Sequence, residues 1–193
     1  LCDWSSDVCS SDLIEMKKNA RFVNQIALAP RQSMDSHEIY FQNGGSNDIY
    51  YKGCWVLHTL RWQMGDEKFF ESLRRFCYPT EAARKATDGS QCRLVDTDDY
   101  VKLCNEIAGE DLGWFFEVYV RQPKLPELRA EFKDGVLQLE WLVPAGLVLQ
   151  TPVPVEVGGK VVRVPMPGGK GTCKVGDGEY RVDPDALVLM RRD

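Results

Sequence analysis

Several kinds of chemistry have nothing to build on in this chain. Its 193 residues hold two histidines, His37 and His58, and no paired His accompanies the seven cysteines. No CxxC occurs either, so zinc-ribbon and thioredoxin-like readings fail. No Lys/Arg cluster offsets the net charge of -5, which argues against a nucleic-acid or acidic-membrane surface. No apolar run approaches the roughly 20 residues needed to cross a bilayer. The opening stretch "LCDWSSDVCSSDL" has neither a positive n-region nor an apolar h-region and is no signal peptide. Internal repeats and low-complexity tracts are also missing. What remains is 44% hydrophobic and 27% charged, which suits one globular domain or two small ones in a soluble protein, cytoplasmic or exported alike.

The first 13 residues read as neither helix nor strand. Cys2 to Leu13 resembles the conceptual translation of a sequencing-library adapter, so 1–13 are set aside as an artefact at the edge of a gene fragment. Of the other cysteines, Cys54, Cys77 and Cys104 fall at apolar positions of helical patterns, where a thiol behaves as a small hydrophobe. Cys92 and Cys173 complete the set. Reduced structural thiols are the plain reading, with a Cys77–Cys92 bridge open if the protein is exported.

From Ile14 to about Gln122 the apolar period is helical. "IEMKKNARFVNQIALAP" carries Ile14, Phe22 and Ile26 on one side and breaks at Pro30. After a polar loop, "YYKGCWVLHTLRWQMG" puts Gly53, Val56, Leu57, Leu60 and Met64 on one face, with Gly65 as its stop. Asp66 is expected to cap a second helix burying Phe69, Phe70, Leu73, Phe76 and Cys77, which ends near Pro79. "TEAARKATDGSQCR" reads as a surface loop. Thr97 is expected to cap a helix burying Val101, Cys104, Ile107 and Ala108 and stopping at Gly109. Asp111 is expected to cap a last helix, "LGWFFEVYVRQ", so apolar that more than one side must be covered, with Pro123 ending it.

Beyond "QPKLPEL" the period becomes two. Two hairpins are expected, about Asp134-Gly135 and Gly158-Gly159. Three further strand candidates in "GTCKVGDGEYRVDPDALVLM" bring the total to about seven, the pattern of a small antiparallel β-sandwich. The fold class is therefore α+β, with an α-helical part over 14–124 and a β-sandwich domain over 125–193.

The search for a catalytic set is mostly negative. "SHEIYF" offers His37-Glu38 but has Phe41 where a zinc-binding HExxH helix needs its second histidine. His58 has no His or carboxylate at i±4 and reads as a packed or half-exposed histidine. The glycines of "GDGEY" and "PMPGGKGTC" read as turns, since no strand-to-helix context follows them. Asp98-Asp99, Glu110-Asp111 and Asp183-Pro-Asp185 read as caps and turns. No Ser-His-Asp or Cys-His constellation can be assembled.

"IYYKGCWVLHTLRWQMGDEKFFESLRRF", followed by "DTDDYVKLCNEIAGEDLGWFFEVYVRQPKLPEL", resembles the C-terminal half of the gluzincin aminopeptidases, the family of alanyl aminopeptidase and the leukotriene-hydrolase enzyme. The resemblance runs from about Pro30 to the C-terminus. Its most specific element is Tyr-x-Lys-Gly, here Tyr50-Tyr51-Lys52-Gly53, leading into an apolar helix. It implies that Tyr50 is catalytic and faces the zinc of the parent enzyme across a peptide substrate. A phenol with a pKa near ~10 keeps its proton at neutral pH and can donate a hydrogen bond to a developing oxyanion. Tyr51 is then a partly buried flanking residue, Lys52 serves geometry, and Gly53 permits close backbone packing. The HExxH, the glutamate ligand and the loop gripping the free amino group would precede Tyr50. They are missing here, so the chain is expected to be a fragment of a three-domain parent that binds no zinc itself and cleaves nothing without its N-terminal half. In that parent the helices of Cys54 to Gln122 roof the zinc cleft, and the β-sandwich of Leu128 to Met190 props it.

A reading of a different class is a non-catalytic scaffold or interaction module that kept the architecture. Peptide or carbohydrate binding by the sandwich alone lacks an aromatic platform among its turns. As a half-domain, the chain is expected to expose the apolar faces of "WVLHTL" and "WFFEVYV" and to bind ANS.

Overall fold

The computed structural model describes residues 27–31, 48–176 and 178–191, with the backbone alone at 48–50. The expected helix over Ile14, Phe22 and Ile26, the His37-Glu38-Phe41 near miss, and Cys2 and Cys9 lie outside the described residues. Among the described residues five α-helices come first: α1 (Asp48–Met64), α2 (Asp66–Cys77), α3 (Glu81–Lys85), α4 (Thr97–Ala108) and α5 (Gly113–Tyr119). The strands β1 (Glu127–Lys133), β2 (Val136–Leu142), β3 (Val153–Val157), β4 (Lys160–Val164), β5 (Lys170–Lys174) and β6 (Tyr180–Val182) follow. They form two three-stranded antiparallel sheets, β1-β2-β5 and β4-β3-β6, and the fold is α+β.

Both expected hairpins form. Asp134 and Gly135 have φ of 50° and 74°, and Gly158 and Gly159 have 56° and 76°. Positive φ at both central residues gives the turn twist that two-residue hairpins require. Leu137, Leu139 and Trp141 of β2 and Val153 and Val155 of β3 belong to one apolar core that continues into the helices.

The described strands number six, not about seven. The final candidate, "DALVLM", makes no strand. Residues 183–190 run as a buried strap between helices and sheets, with Val188 and Leu189 fully inaccessible. Its apolar residues satisfy the packing that a strand would, and its backbone is held by side chains instead of by a ladder.

Several helix starts lie one residue from the expected position. Gly65, not Asp66, is the N-cap of α2, and Asp66 takes both nitrogens of Arg61 at 2.8 and 2.7 Å. Asp96, not Thr97, caps α4 in a reciprocal box with Asp99. Leu112 is the N-cap of α5, yet Asp111 still accepts from the Gly113 amide at 2.8 Å, so its carboxylate does satisfy a first-turn donor. The stretch read as a loop contains α3, capped by Thr80 and without a buried residue. α5 ends at Tyr119, before Pro123. Gly109 stops α4 with φ 75° as expected.

The apolar faces of "WVLHTL" and "WFFEVYV" are not open. Trp55, Val56 and Leu60 are buried, as are Phe115, Phe116, Val118 and Tyr119. The strap and sheets cover what a helical fragment alone would expose, which corrects the ANS expectation. Of the helical cysteines, Cys104 is buried, Cys54 half-buried and Cys77 exposed. Cys77 and Cys92 form no disulfide with one another.

Cys104 sits beside Tyr100, whose hydroxyl lies 3.0 Å from Ser72 Oγ. Burial pushes the Cys104 thiol up from 9.0 to about 11, against the lowering effect of hydrogen bonds from Tyr100 and Ser72. Burial, then the neighbouring Cys104, raises Tyr100 as well. A raised acid pKa holds the proton on the folded state, so this stability is full below pH 9.0 and is lost as pH climbs towards about 11. The urea midpoint is expected to fall over that window, and Cys104→Ala to flatten the fall by on the order of 1–2 kcal/mol. An unchanged slope in the variant contradicts the assignment.

Candidate active site

Tyr50 lies in the first turn of α1, and its side chain is outside the described residues. Tyr51, expected to be partly buried, is 45% exposed. The helix that carries them is anchored from Lys52 to Gln63. Its buried line is Lys52, Trp55, Val56, Thr59 and Leu60, rotated one residue from the expected Gly53, Val56, Leu57, Leu60 and Met64. The rotation follows from polar partners supplied by distant chain. Lys52 is 1% exposed, and its Nζ donates to the carbonyls of Gln122 at 2.8 Å and Pro123 at 3.2 Å. These carbonyls follow the end of α5, where chain leaving a helix needs donors. One turn on, Trp55 Nε1 donates to Ala186 O at 3.1 Å, and Thr59 Oγ1 accepts from the Leu189 amide at 2.8 Å. Trp62 Nε1 donates to Pro152 O at 2.7 Å. Arg163 of β4 stacks 4.5 Å over the Trp62 ring and donates to the carbonyls of Trp62 and Gln63, closing the far end of α1. Burial lowers the Arg163 pKa, partly offset by Glu110.

The strap is itself held by one buried carboxylate. Asp183, 1% exposed and at φ 45°, accepts from the amides of Leu187 at 2.7 Å and Val188 at 3.2 Å. Tyr119 of α5 adds its hydroxyl to Leu189 O at 2.9 Å. A continuous series of hydrogen bonds therefore runs from Asp183 through the strap to α1, which it reaches at Trp55, five residues after Tyr50. Sequence reasoning assigned Lys52 to geometry, which the structure bears out, and read Asp183 as a turn residue, which describes its contacts. The strap as the fixture of α1 was missed. Its signal is the run of buried-type residues after an acid, which reads equally as a strand.

Among the described residues a Cβ built at Gly53 meets nothing within 4 Å, so none of them requires the close packing expected of this glycine. Gly53→Ala is therefore expected to stabilise the chain by about 0.5–1 kcal/mol, as a helix-interior glycine costs that much in backbone entropy. A lower melting temperature in that variant would show a contact the glycine protects.

His58 is half-buried on α1 and engaged within the fold. Among the described residues no three His, Cys, Asp or Glu side chains converge as a metal site. The described part of the chain therefore does not fit a resident zinc. No described helix is long and apolar enough to cross a membrane.

No protein-family model matches the sequence. A comparison with curated proteins finds no match either. The fold does have a solved counterpart, the crystal structure of Legionella pneumophila aminopeptidase A in complex with aspartic acid. The two superpose with a TM-score of 0.60 at 16% identity over 95% of this chain. The chain spans 22% of the length of that protein. The described architecture is thus an aminopeptidase-like fold.

Proposed function

We propose that this chain is the Tyr50-bearing portion of a zinc aminopeptidase of the gluzincin family, which removes N-terminal residues from peptides when joined to the lobe that holds the metal. The parent's zinc would polarise the scissile carbonyl, and its ligands belong outside these 193 residues. Tyr50 supplies a neutral phenol that donates a hydrogen bond to the oxygen as charge gathers there. The observation that carries this reading is the position of Tyr50 two residues before Lys52, whose ammonium fastens the start of α1 to the carbonyls after α5. A donor works in catalysis only if it is held in place before charge develops, and the fixed helix supports that requirement.

The test is the full-length protein. A tightly bound zinc, an HExxH helix upstream of Tyr50, and release of single N-terminal residues from short peptides are the expected results. A full-length protein that lacks the motif, carries no metal and leaves peptides intact contradicts the proposal and favours the scaffold reading.

A further inference from the structure

The segment between α2 and α4 is the least anchored part of the described chain. From Cys77 to Asp96 no residue is buried, and its one helix, α3, is held by its Thr80 cap and by surface pairs such as Arg84 with Glu81. One contact closes its base. The Arg93 guanidinium donates to the Phe76 carbonyl and stands 5.2 Å from the centre of the Phe76 ring. The Cys92 amide donates to Gly89 O at 3.0 Å, turning the chain back towards α2.

This closure has a consequence for the two residues just inside it. Phe76 precedes Cys77 and Arg93 follows Cys92, so contact between the outer pair makes the two cysteines the next pair inward. Both thiols are exposed and free, whereas Cys54, Cys104 and Cys173 are half-buried or buried. A disulfide needs Cα atoms about 4.4–6.8 Å apart, and a segment with no buried anchor can move to meet that requirement.

We propose that Cys77 and Cys92 form a reversible disulfide that clasps the base of this segment. With oxidised glutathione as the oxidant, one cysteine thiolate attacks a glutathione sulfur. The S–S bond breaks, and one glutathione leaves and takes up a proton. The second cysteine then attacks the protein sulfur of the mixed disulfide and releases the other glutathione. Two protein thiols are oxidised while one glutathione disulfide becomes two thiols. The clasp joins the end of α2 to the approach to α4, and it restricts the unfolded chain more than the folded one.

The 193-residue chain, reduced and then treated with oxidised glutathione, tests this directly. After alkylation of the remaining thiols and proteolysis, mass spectrometry is expected to find the Cys77 and Cys92 peptides joined. Trypsin nicking after Arg84 or Lys85 is expected to give fragments that stay together until reductant is added. In Cys92→Ser, Cys77 is expected to retain its glutathione, because the attacking partner is gone. Separate glutathione adducts on Cys77 and Cys92 of the unmodified sequence overturn the proposal. So does pairing of either residue with Cys2 or Cys9.

Discussion

Tyr50→Phe in the full-length protein is expected to lower kcat for peptide hydrolysis by about two to three orders of magnitude while leaving KM within about threefold. The substitution deletes one oxygen and keeps the ring, so packing at the start of α1 is preserved. A hydrogen bond to an oxyanion strengthens as charge develops, and its loss therefore falls on the transition state more than on the bound substrate. A group that only packed the helix start would behave differently. Its loss would lower stability and leave turnover nearly unchanged. Tyr51→Phe is the internal control, since Tyr51 is 45% exposed and has no assigned part in the reaction. Kinetics of the two variants side by side separate the readings.

Asp183→Ala is expected to cost roughly 3–5 kcal/mol of folding stability. The buried carboxylate accepts from two amides of the strap, and truncation leaves both without that acceptor, Val188 in a fully buried position and Leu187 in a half-buried one. Each orphaned donor costs about 1–3 kcal/mol. Alanine is also poorly suited to φ 45°. Asp183→Asn isolates part of this effect, since asparagine tolerates that conformation and keeps one acceptor oxygen. It is expected to lose about half as much. Urea unfolding followed by tryptophan fluorescence is a suitable readout, because Trp55 binds Ala186 and senses release of the strap. Faster amide exchange at Leu187 and Val188 should accompany the loss. A variant that keeps its midpoint and its protected amides would show that the strap is held by packing alone.

How much of this was legible depends on how far apart in sequence the partners lie. The helices announced themselves by period and the hairpins by Asp134-Gly135 and Gly158-Gly159, because those signals are local. Caps were legible only to within a residue, since Gly65 and Asp66, or Asp96 and Thr97, stand side by side and either member can end the chain's approach to a helix. α3 was hidden because its five residues, none of them buried, carry no apolar period. The strap was misread because "ALVLM" has the composition of a strand, and only the long-range contacts of Ala186 and Leu189 show otherwise. The same distance effect rotated the face of α1. Periodicity counts Lys52 and Thr59 as polar, yet each is buried against backbone groups 70 and 130 residues away. Tyr50 itself entered through the resemblance of Tyr-x-Lys-Gly, for no local rule distinguishes a catalytic tyrosine from one that packs.

The central claim concerns where the Tyr50 hydroxyl points, and a structure of the full-length protein with a tetrahedral transition-state analogue tests it most directly. The account predicts the Tyr50 oxygen within about 2.6–3.0 Å of the oxygen that mimics the oxyanion, in a groove shared by α1 and the metal-bearing lobe. A Tyr50 oxygen turned into the protein's own core, with the analogue bound elsewhere or not at all, would contradict it.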